Sequence, residues 1–282
     1  MKVFVTGANG FVGKCLIRKL DELGFDAWAV VRHKTNRSKE VIIDFENCND
    51  CELEDKLNQA NCIIHLAANA NFTTQFDKTI YDVNCLSNIS LINLCRKNKI
   101  YLIFASNALI SGFSQNIISE NTKDNPEIPY NISKYISEQY IIKYLKKYCI
   151  IRIGGIYGIY GPSHLFLNKS INQAITINNK FIINNNGEGK RNYIYVEDLC
   201  SWIIYIIKNN IYGRYLIAGP EALTIKEIHE LLIDVFFDGN GEIILNQSIT
   251  GKDQIIECNF PGIKFNNYKS AFLEMKKNVN PS

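Results

Sequence analysis

Along the first half of the chain, short apolar runs alternate with longer stretches in which apolar residues recur every three or four positions. Lys2-Val3-Phe4-Val5-Thr6, Phe25 to Val31, Val41-Ile42-Ile43-Asp44, Asn61 to Ala68 and Ile100 to Ala105 have the length and apolar density of buried strands. The intervening patterns predict helices from the end of a glycine run to Leu20 or Leu23, over Cys51 to Leu57 and over Tyr81 to Lys97. Another opens at Pro129, and Leu199 to Ile207 is a further apolar helix. Strands alternating with helices at this pace predict an α/β fold with a parallel, doubly wound sheet. Right-handed crossovers then set the ligand crevice at the carboxyl ends of the strands. Thr6-Gly7, Arg32, Ala67-Ala68, Ser106-Asn107 and Tyr130 fall at such ends or just beyond them.

The composition narrows the class without deciding it. The 282 residues are 46% apolar and 21% charged, as in an ordinary globular protein with a substantial core. A net charge of +3 is too small to argue for nucleic acid or an anionic membrane as partner. The chain opens directly on a strand, which leaves no room for a signal peptide, and no apolar run approaches the roughly 18 residues of a membrane span. Nine cysteines are scattered without regular spacing, and Cys48-Asn49-Asp50-Cys51 is a CxxC with no second pair and no nearby His. Reduced thiols, a cytoplasmic location and no metal site are expected.

Gly7-Ala8-Asn9-Gly10-Phe11-Val12-Gly13 stands between the first strand and the first helix, its glycines three apart. They allow a tight turn, close backbone approach to a phosphate and close packing of helix on sheet. The helix N-terminus offers N–H groups to a pyrophosphate, so Thr6, Gly7, Asn9, Gly10, Phe11, Val12 and Gly13 are the expected dinucleotide-binding residues. The second strand ends Val30-Val31-Arg32-His33-Lys34, with no acid for the ribose 2′-hydroxyl. Arg32 favours NADP, with NAD as the alternative. Asp44 is placed to reach the adenine edge. Leu66, Ala67 and Ala68 let a flat cofactor lie against the backbone, and Asn84 lies near the start of the long helix. His65 is expected to be a packed residue rather than a catalyst.

Tyr130 and Lys134 sit one turn apart on the helix that opens at Pro129. A phenol loses its proton near pH ~10, and a neighbouring cation lowers that value, so the pair is a candidate acid/base.

With the glycine loop, Ile64-His65-Leu66-Ala67-Ala68 and Tyr130-x-x-x-Lys134 in this order, the chain resembles the extended short-chain dehydrogenase/reductase family. The likeness is to its nucleotide-sugar epimerase, dehydratase and reductase branch, and it continues through Arg152 to Gly158, Gly187 to Asp198 and Tyr215 to Thr224. The resemblance implies a hydride-transfer site. Tyr130 would be the general acid/base, and Lys134 would bind the nicotinamide ribose. A Ser or Thr would bond the reacting oxygen. Arg191 would grip a sugar nucleotide's diphosphate, with Asn69 and Gly155 also on the substrate side. Glu197 and Asp198 look like cap and positioning residues.

Two departures stand out. Aligned on Gly112, the Ser/Thr position holds Asn107, with Ser106 beside it but on the opposite side of an extended strand. An amide N–H polarises a carbonyl but does not relay a proton. Many relatives carry an Asn where this chain has Gly155. Ala108, where dehydratases place an Asp before a Glu, argues against 4,6-dehydration.

The expected organisation is a Rossmann domain of residues 1–162 plus about 187–219. A smaller, mostly C-terminal α/β substrate domain would comprise about 163–186 and 220–282. The expected function is NAD(P)-dependent reduction or C4 epimerisation of a nucleotide-linked sugar in surface-polysaccharide synthesis, by a homodimer. The alternative, motivated by Asn107, is a catalytically weak dinucleotide-binding sensor or structural protein of the same fold.

Overall fold

The structure, a computed structural model, describes residues 1–176 and 178–279. The chain divides into two compact units. The first comprises Met1–Phe113, Thr122–Ile153 and Cys200–Tyr215. The second comprises Ser114–Asn121, Gly154–Leu199 and Leu216–Ser282. Residues 154–162 and 187–199 thus fall in the second unit.

The first unit is built on β1 (Lys2–Thr6), α1 (Phe11–Glu22), β2 (Asp26–Val31), β3 (Glu40–Ile42), α2 (Asp50–Leu57) and β4 (Cys62–His65). These are followed by α3 (Lys78–Tyr81), α4 (Ser87–Asn98), β5 (Tyr101–Asn107), α5 (Pro129–Tyr144) and the strand Tyr148–Ile153. The seven-stranded sheet runs, from one edge, Gly213–Ile217, Tyr148–Ile153, β5, β4, β1, β2, β3. From Tyr148–Ile153 to β3 every pairing is parallel, as the alternation of strand and helix predicts. Sequence-adjacent strands step outward from β1 in one direction and from β4 in the other, so the switch point lies between these two. Thr6 pairs with His65 there.

Apolar strand residues such as Phe4, Ile63, Leu102 and Ile150 share one core with Leu53 and Leu57 of α2, Leu91 and Cys95 of α4, and Ile141 of α5. In α1, Gly13, Leu16, Ile17 and Leu20 form the buried stripe.

The helix expected over Tyr81 to Lys97 runs without a break from Lys78 to Asn98, but it is not α-helical throughout. A π-helical turn, Asp82–Leu86, separates α3 from α4. The carbonyl of Asn84 accepts the Asn88 side-chain amide at 2.6 Å and the Ser137 hydroxyl at 2.6 Å. The wider turn is closed by the N–H of Ser87 donating to the carbonyl of Asp82, five residues back.

In the second unit, Lys180–Ile183 pairs in parallel with Glu242–Leu245, and Ile194–Tyr195 with Ile156–Tyr157. Thr224 opens the helix Ile225–Phe237 with a full capping box to Glu227. The last helix begins at Tyr268. Among the described residues no helix is long and apolar enough to cross a membrane.

Candidate active site

The glycine loop is tight because its neighbours are backbone. Gly7 has φ +65°, and a Cβ there would lie 2.9 Å from the amide nitrogen of Ala67. A Cβ on Gly13 would lie 2.2 Å from the carbonyl oxygen of Gly7. Thr6 joins the loop to the end of β4, its Oγ1 accepting the N–H of Leu66 at 3.1 Å and of Ala67 at 3.0 Å. With both lone pairs so used, the hydroxyl proton goes to Nδ1 of His65, 2.9 Å away. His65 therefore carries its own proton on Nε2. It lies between the rings of Phe45 and Phe104, and burial, with the Lys134 charge adding, drives its pKa down to about 3. It is a neutral packed residue, as the sequence led us to expect.

No side chain caps the N-terminus of α1 at Gly10, and its first turn contains no acid. The N–H groups there suit an anion, so the cradle fits a dinucleotide pyrophosphate. Beside it is a cleft of about 390 Å³ lined by Asn9, Lys14, Arg18, Thr35 and Arg37, among others. Arg32 is exposed at the end of β2. Asp44 is held in its own turn by the Asn47 amide at 2.7 Å and the Glu46 N–H at 3.2 Å. These bonds, with the nearby charges of Arg32 and His33, hold its carboxyl below the usual range. Arg37 is committed elsewhere, bridging both oxygens of Asp21 at 2.7 and 2.6 Å.

Helix α5 is fastened to the end of β5 by three residues of one face. Asn131, Lys134 and Glu138 engage Asn107, Ala105 and Ser106 respectively. The Asn107 amide donates to Oδ1 of Asn131 at 3.0 Å, and Lys134 Nζ donates to the carbonyl of Ala105 at 2.9 Å. The Ser106 hydroxyl donates to Glu138. Glu138, fully buried, also accepts Nε and Nη2 of Arg152, whose guanidinium reaches Asp124 as well. Arg152 stands opposite Ser106 in the sheet register, which puts it within reach of both.

Ser106, a candidate catalytic residue beside Asn107, bonds to Glu138. Its hydroxyl proton is given to Glu138, which joins it to the ion cluster. Asn107 spends its carbonyl on the N–H of Leu109 at 2.9 Å, capping the 3-10 turn Ala108–Ser111. One amide hydrogen is left for a ligand.

Tyr130 and Lys134 sit one turn apart, the ammonium 6.0 Å from the phenol ring and 4.7 Å from that of Phe104. Burial dominates both groups: it lifts Tyr130 to about 12 and lowers Lys134 to about 8, although Glu138 and Cys85 pull the latter upward. The simple expectation that Lys134 lowers the phenol's pKa is thus outweighed by desolvation in the ligand-free protein. Asn84, fully buried, accepts the N–H of Asn69 at 2.8 Å and donates to the Ser133 hydroxyl at 3.1 Å, tying the segment after β4 to α5. Asn69's side chain itself donates to Thr79 at 2.9 Å.

Residues 3–218 match the model of the NAD dependent epimerase/dehydratase family.

The chain belongs to the NAD dependent epimerase/dehydratase family.

A relative in this family, named "Putative UDP-glucose 4-epimerase" in Methanocaldococcus jannaschii, is 30% identical over 255 residues, 82% of this chain and 81% of that one. Two solved structures share the fold at 18% identity. One is the dTDP-4-dehydrorhamnose reductase of Bacillus anthracis in complex with NADP, with TM-score 0.82, covering 99% of each chain. The other is the UDP-glucuronic acid 4-epimerase of Bacillus cereus in complex with NAD, with TM-score 0.79, covering 99% of this chain and 96% of that one.

The remaining expected residues lie in the second unit. A Cβ on Gly155 would meet the ring of Tyr193 at 2.1 Å, so Tyr193 fills the space an Asn side chain would need. Arg191 donates through Nη1 to the carbonyls of Lys190 and Lys252, at 2.8 and 2.5 Å. Asp198, in the first turn of the helix Val196–Asn209, accepts the backbone and side-chain N–H groups of Asn266, both at 2.8 Å. Phe72, Asn131, Ser133, Asp124 and Glu138 were not singled out from the sequence. For Glu138 alone a local signal existed, an acid one turn beyond Lys134 on the same face.

Proposed function

We propose that the protein is an NAD(P)-dependent oxidoreductase or epimerase of nucleotide-linked sugars, acting by 4-keto reduction or C4 epimerisation with Tyr130 as the general acid/base. The observation that carries this reading is the seating of the Lys134 ammonium on Ala105, one turn from Tyr130, at the end of a parallel strand. The Thr6–Gly13 segment and the Leu66–Ala68 strand end would hold a nicotinamide dinucleotide, whose chemistry would be hydride transfer.

With its pKa at about 12, Tyr130 holds its proton at neutral pH. It is thus ready to donate that proton to the oxygen of a carbonyl as negative charge develops there. Lys134 supplies positive charge beside that oxygen and a hydrogen bond for a ribose hydroxyl. The remaining amide hydrogen of Asn107 orients the same oxygen, in place of a hydroxyl. A protonated phenol suits the reductive half of either reaction, and Arg32, with no acid at the strand end, supports NADP as the cofactor. A cytoplasmic homodimer in surface-polysaccharide synthesis completes the reading.

A second reading, a dinucleotide-binding protein with little turnover, draws on the commitment of the Asn107 amide to Leu109 and Asn131. The deciding experiment follows reduced-nicotinamide absorbance with NADPH or NADH and a panel of nucleotide sugars and 4-keto sugars, for wild type and Tyr130→Phe. The expected result is turnover in wild type and a loss of at least about a hundredfold in Tyr130→Phe, with cofactor affinity unchanged. Undiminished turnover in Tyr130→Phe would refute the mechanism.

A further inference from the structure

Between β4 and α3 the chain has no regular secondary structure, yet both ends of this segment are clamped. At one end, the N–H of Asn69 donates to Asn84 Oδ1 at 2.8 Å, and the Asn69 carbonyl accepts Asn84 Nδ2 at 3.0 Å. At the other, Asp77 caps α3 through the N–H of Thr79 at 2.9 Å and accepts the side chain of Asn71. Between the clamps stands Phe72. Its ring lies against that of Tyr130, with centroids 4.9 Å apart and planes inclined at 38°. Even so, 47% of Phe72 remains exposed.

One face of this ring shields the phenol. Nearly half of this large apolar side chain is left to solvent beside the phenol. A pyranose ring has a face made of C–H groups, and an aromatic ring is the side chain best suited to pack against it. Such a platform next to an acid/base selects which face of the sugar is turned inward, and so which hydroxyl or carbonyl meets the phenol.

We propose that Phe72 is a specificity-determining residue, whose exposed face packs on the C–H face of the sugar ring and orients the sugar's reacting oxygen toward Tyr130. The inference rests on the proposed function and names the part of the substrate recognised here: the hexose, not the nucleotide.

The test measures binding by calorimetry, with UDP-glucose and UDP-glucuronic acid as probes and UDP as the sugar-free control. It uses wild type, Phe72→Ala and Phe72→Tyr, each checked for an unchanged melting temperature. Phe72→Ala is expected to weaken the better-bound UDP-sugar by about fivefold to tenfold while leaving UDP and cofactor affinities unchanged. Phe72→Tyr, which keeps the ring, is expected to stay within about twofold of wild type. If wild type binds a UDP-sugar but Phe72→Ala weakens it no more than it weakens UDP, the platform is wrong and the proposed function stands. If wild type binds neither UDP-sugar, the inference fails, while the proposed function is decided separately by turnover on the nucleotide-sugar panel.

Discussion

Lys134 gives a hydrogen bond to the carbonyl of Ala105 at 2.9 Å, and the side chain is almost wholly buried. The seat fixes the ammonium one turn from Tyr130, at the cost of its hydration. Its pKa consequently falls from 10.5 to about 8. Position and charge are therefore in tension at this residue, and the tension is measurable.

Below pH 8 the lysine is charged in both folded and unfolded chains, and the folded state bears the full penalty of burying it. Between pH 8 and 10.5 the folded protein sheds its proton first, so the unfolded state binds more protons and stability rises with pH. The penalty at neutral pH is up to about 3 kcal/mol, less the hydrogen bond to Ala105. Lys134→Met is accordingly expected to be at least as stable as wild type at pH 7 while losing turnover. Its advantage should shrink by pH 9.5, as urea denaturation at the two pH values would show. A variant much less stable at pH 7 would mean that the charge is not penalised.

The ion cluster behind β5 behaves in the opposite sense. Arg152 is the cation that both Glu138 and Asp124 share, while Arg214 stays at 3.8 and 3.7 Å from them and is part-exposed. Arg152→Ala leaves the fully buried Glu138 with only the part-exposed Arg214, 3.8 Å away, as its cation, and is expected to cost about 3 kcal/mol. Arg152→Lys is expected to recover little of this, because an ammonium cannot reproduce the two-sided fork. Urea midpoints of the three proteins would check the order.

Much of the fold and part of this site could be read from residue order, because their causes are local. The glycine spacing, the apolar strands and the Tyr–Lys turn each declare themselves within a few residues. Long-range exchanges between side chains do not. Nothing near Ser106 announces that its proton goes to Glu138, 32 residues on. Nothing near residue 84 announces that side chains from residues 88 and 137 would both bond to its carbonyl. Phe72 reads as an incidental loop aromatic until its ring is found on Tyr130. Gly155 likewise reads as a missing Asn until Tyr193 is found occupying the space.

That last exchange is testable as a pair. Gly155→Asn places a branched side chain where the Tyr193 ring lies, and the ring must move. The single substitution is expected to cost about 1–3 kcal/mol by overpacking. In a Gly155→Asn, Tyr193→Ala double variant the clash is removed, so the two effects should fall short of additivity by at least about 0.5 kcal/mol. Thermal melts of the four proteins close the cycle. Simple additivity would show that the two positions are not competing for one space.

Asn107 holds the position on which the two proposed readings, turnover and mere binding, differ, and it makes two structural bonds, to Asn131 and Leu109. The side-chain oxygen caps the turn at Leu109, a task serine performs as well as asparagine and alanine does not. Asn107→Ser keeps the cap but takes the amide donor from the buried Oδ1 of Asn131, so it is expected to lose about 1 kcal/mol, and Asn107→Ala, which loses both bonds, about 2 kcal/mol. The catalytic effects should separate differently. If the remaining amide hydrogen polarises the reacting oxygen, Asn107→Ala loses roughly a hundredfold in kcat. Asn107→Ser, with a hydroxyl in its place, is expected to stay within about tenfold of wild type. A wild-type protein that binds cofactor but turns nothing over, alongside an active Asn107→Ser variant, would reverse the assignment. Asparagine would then be the substitution that silenced an otherwise complete site.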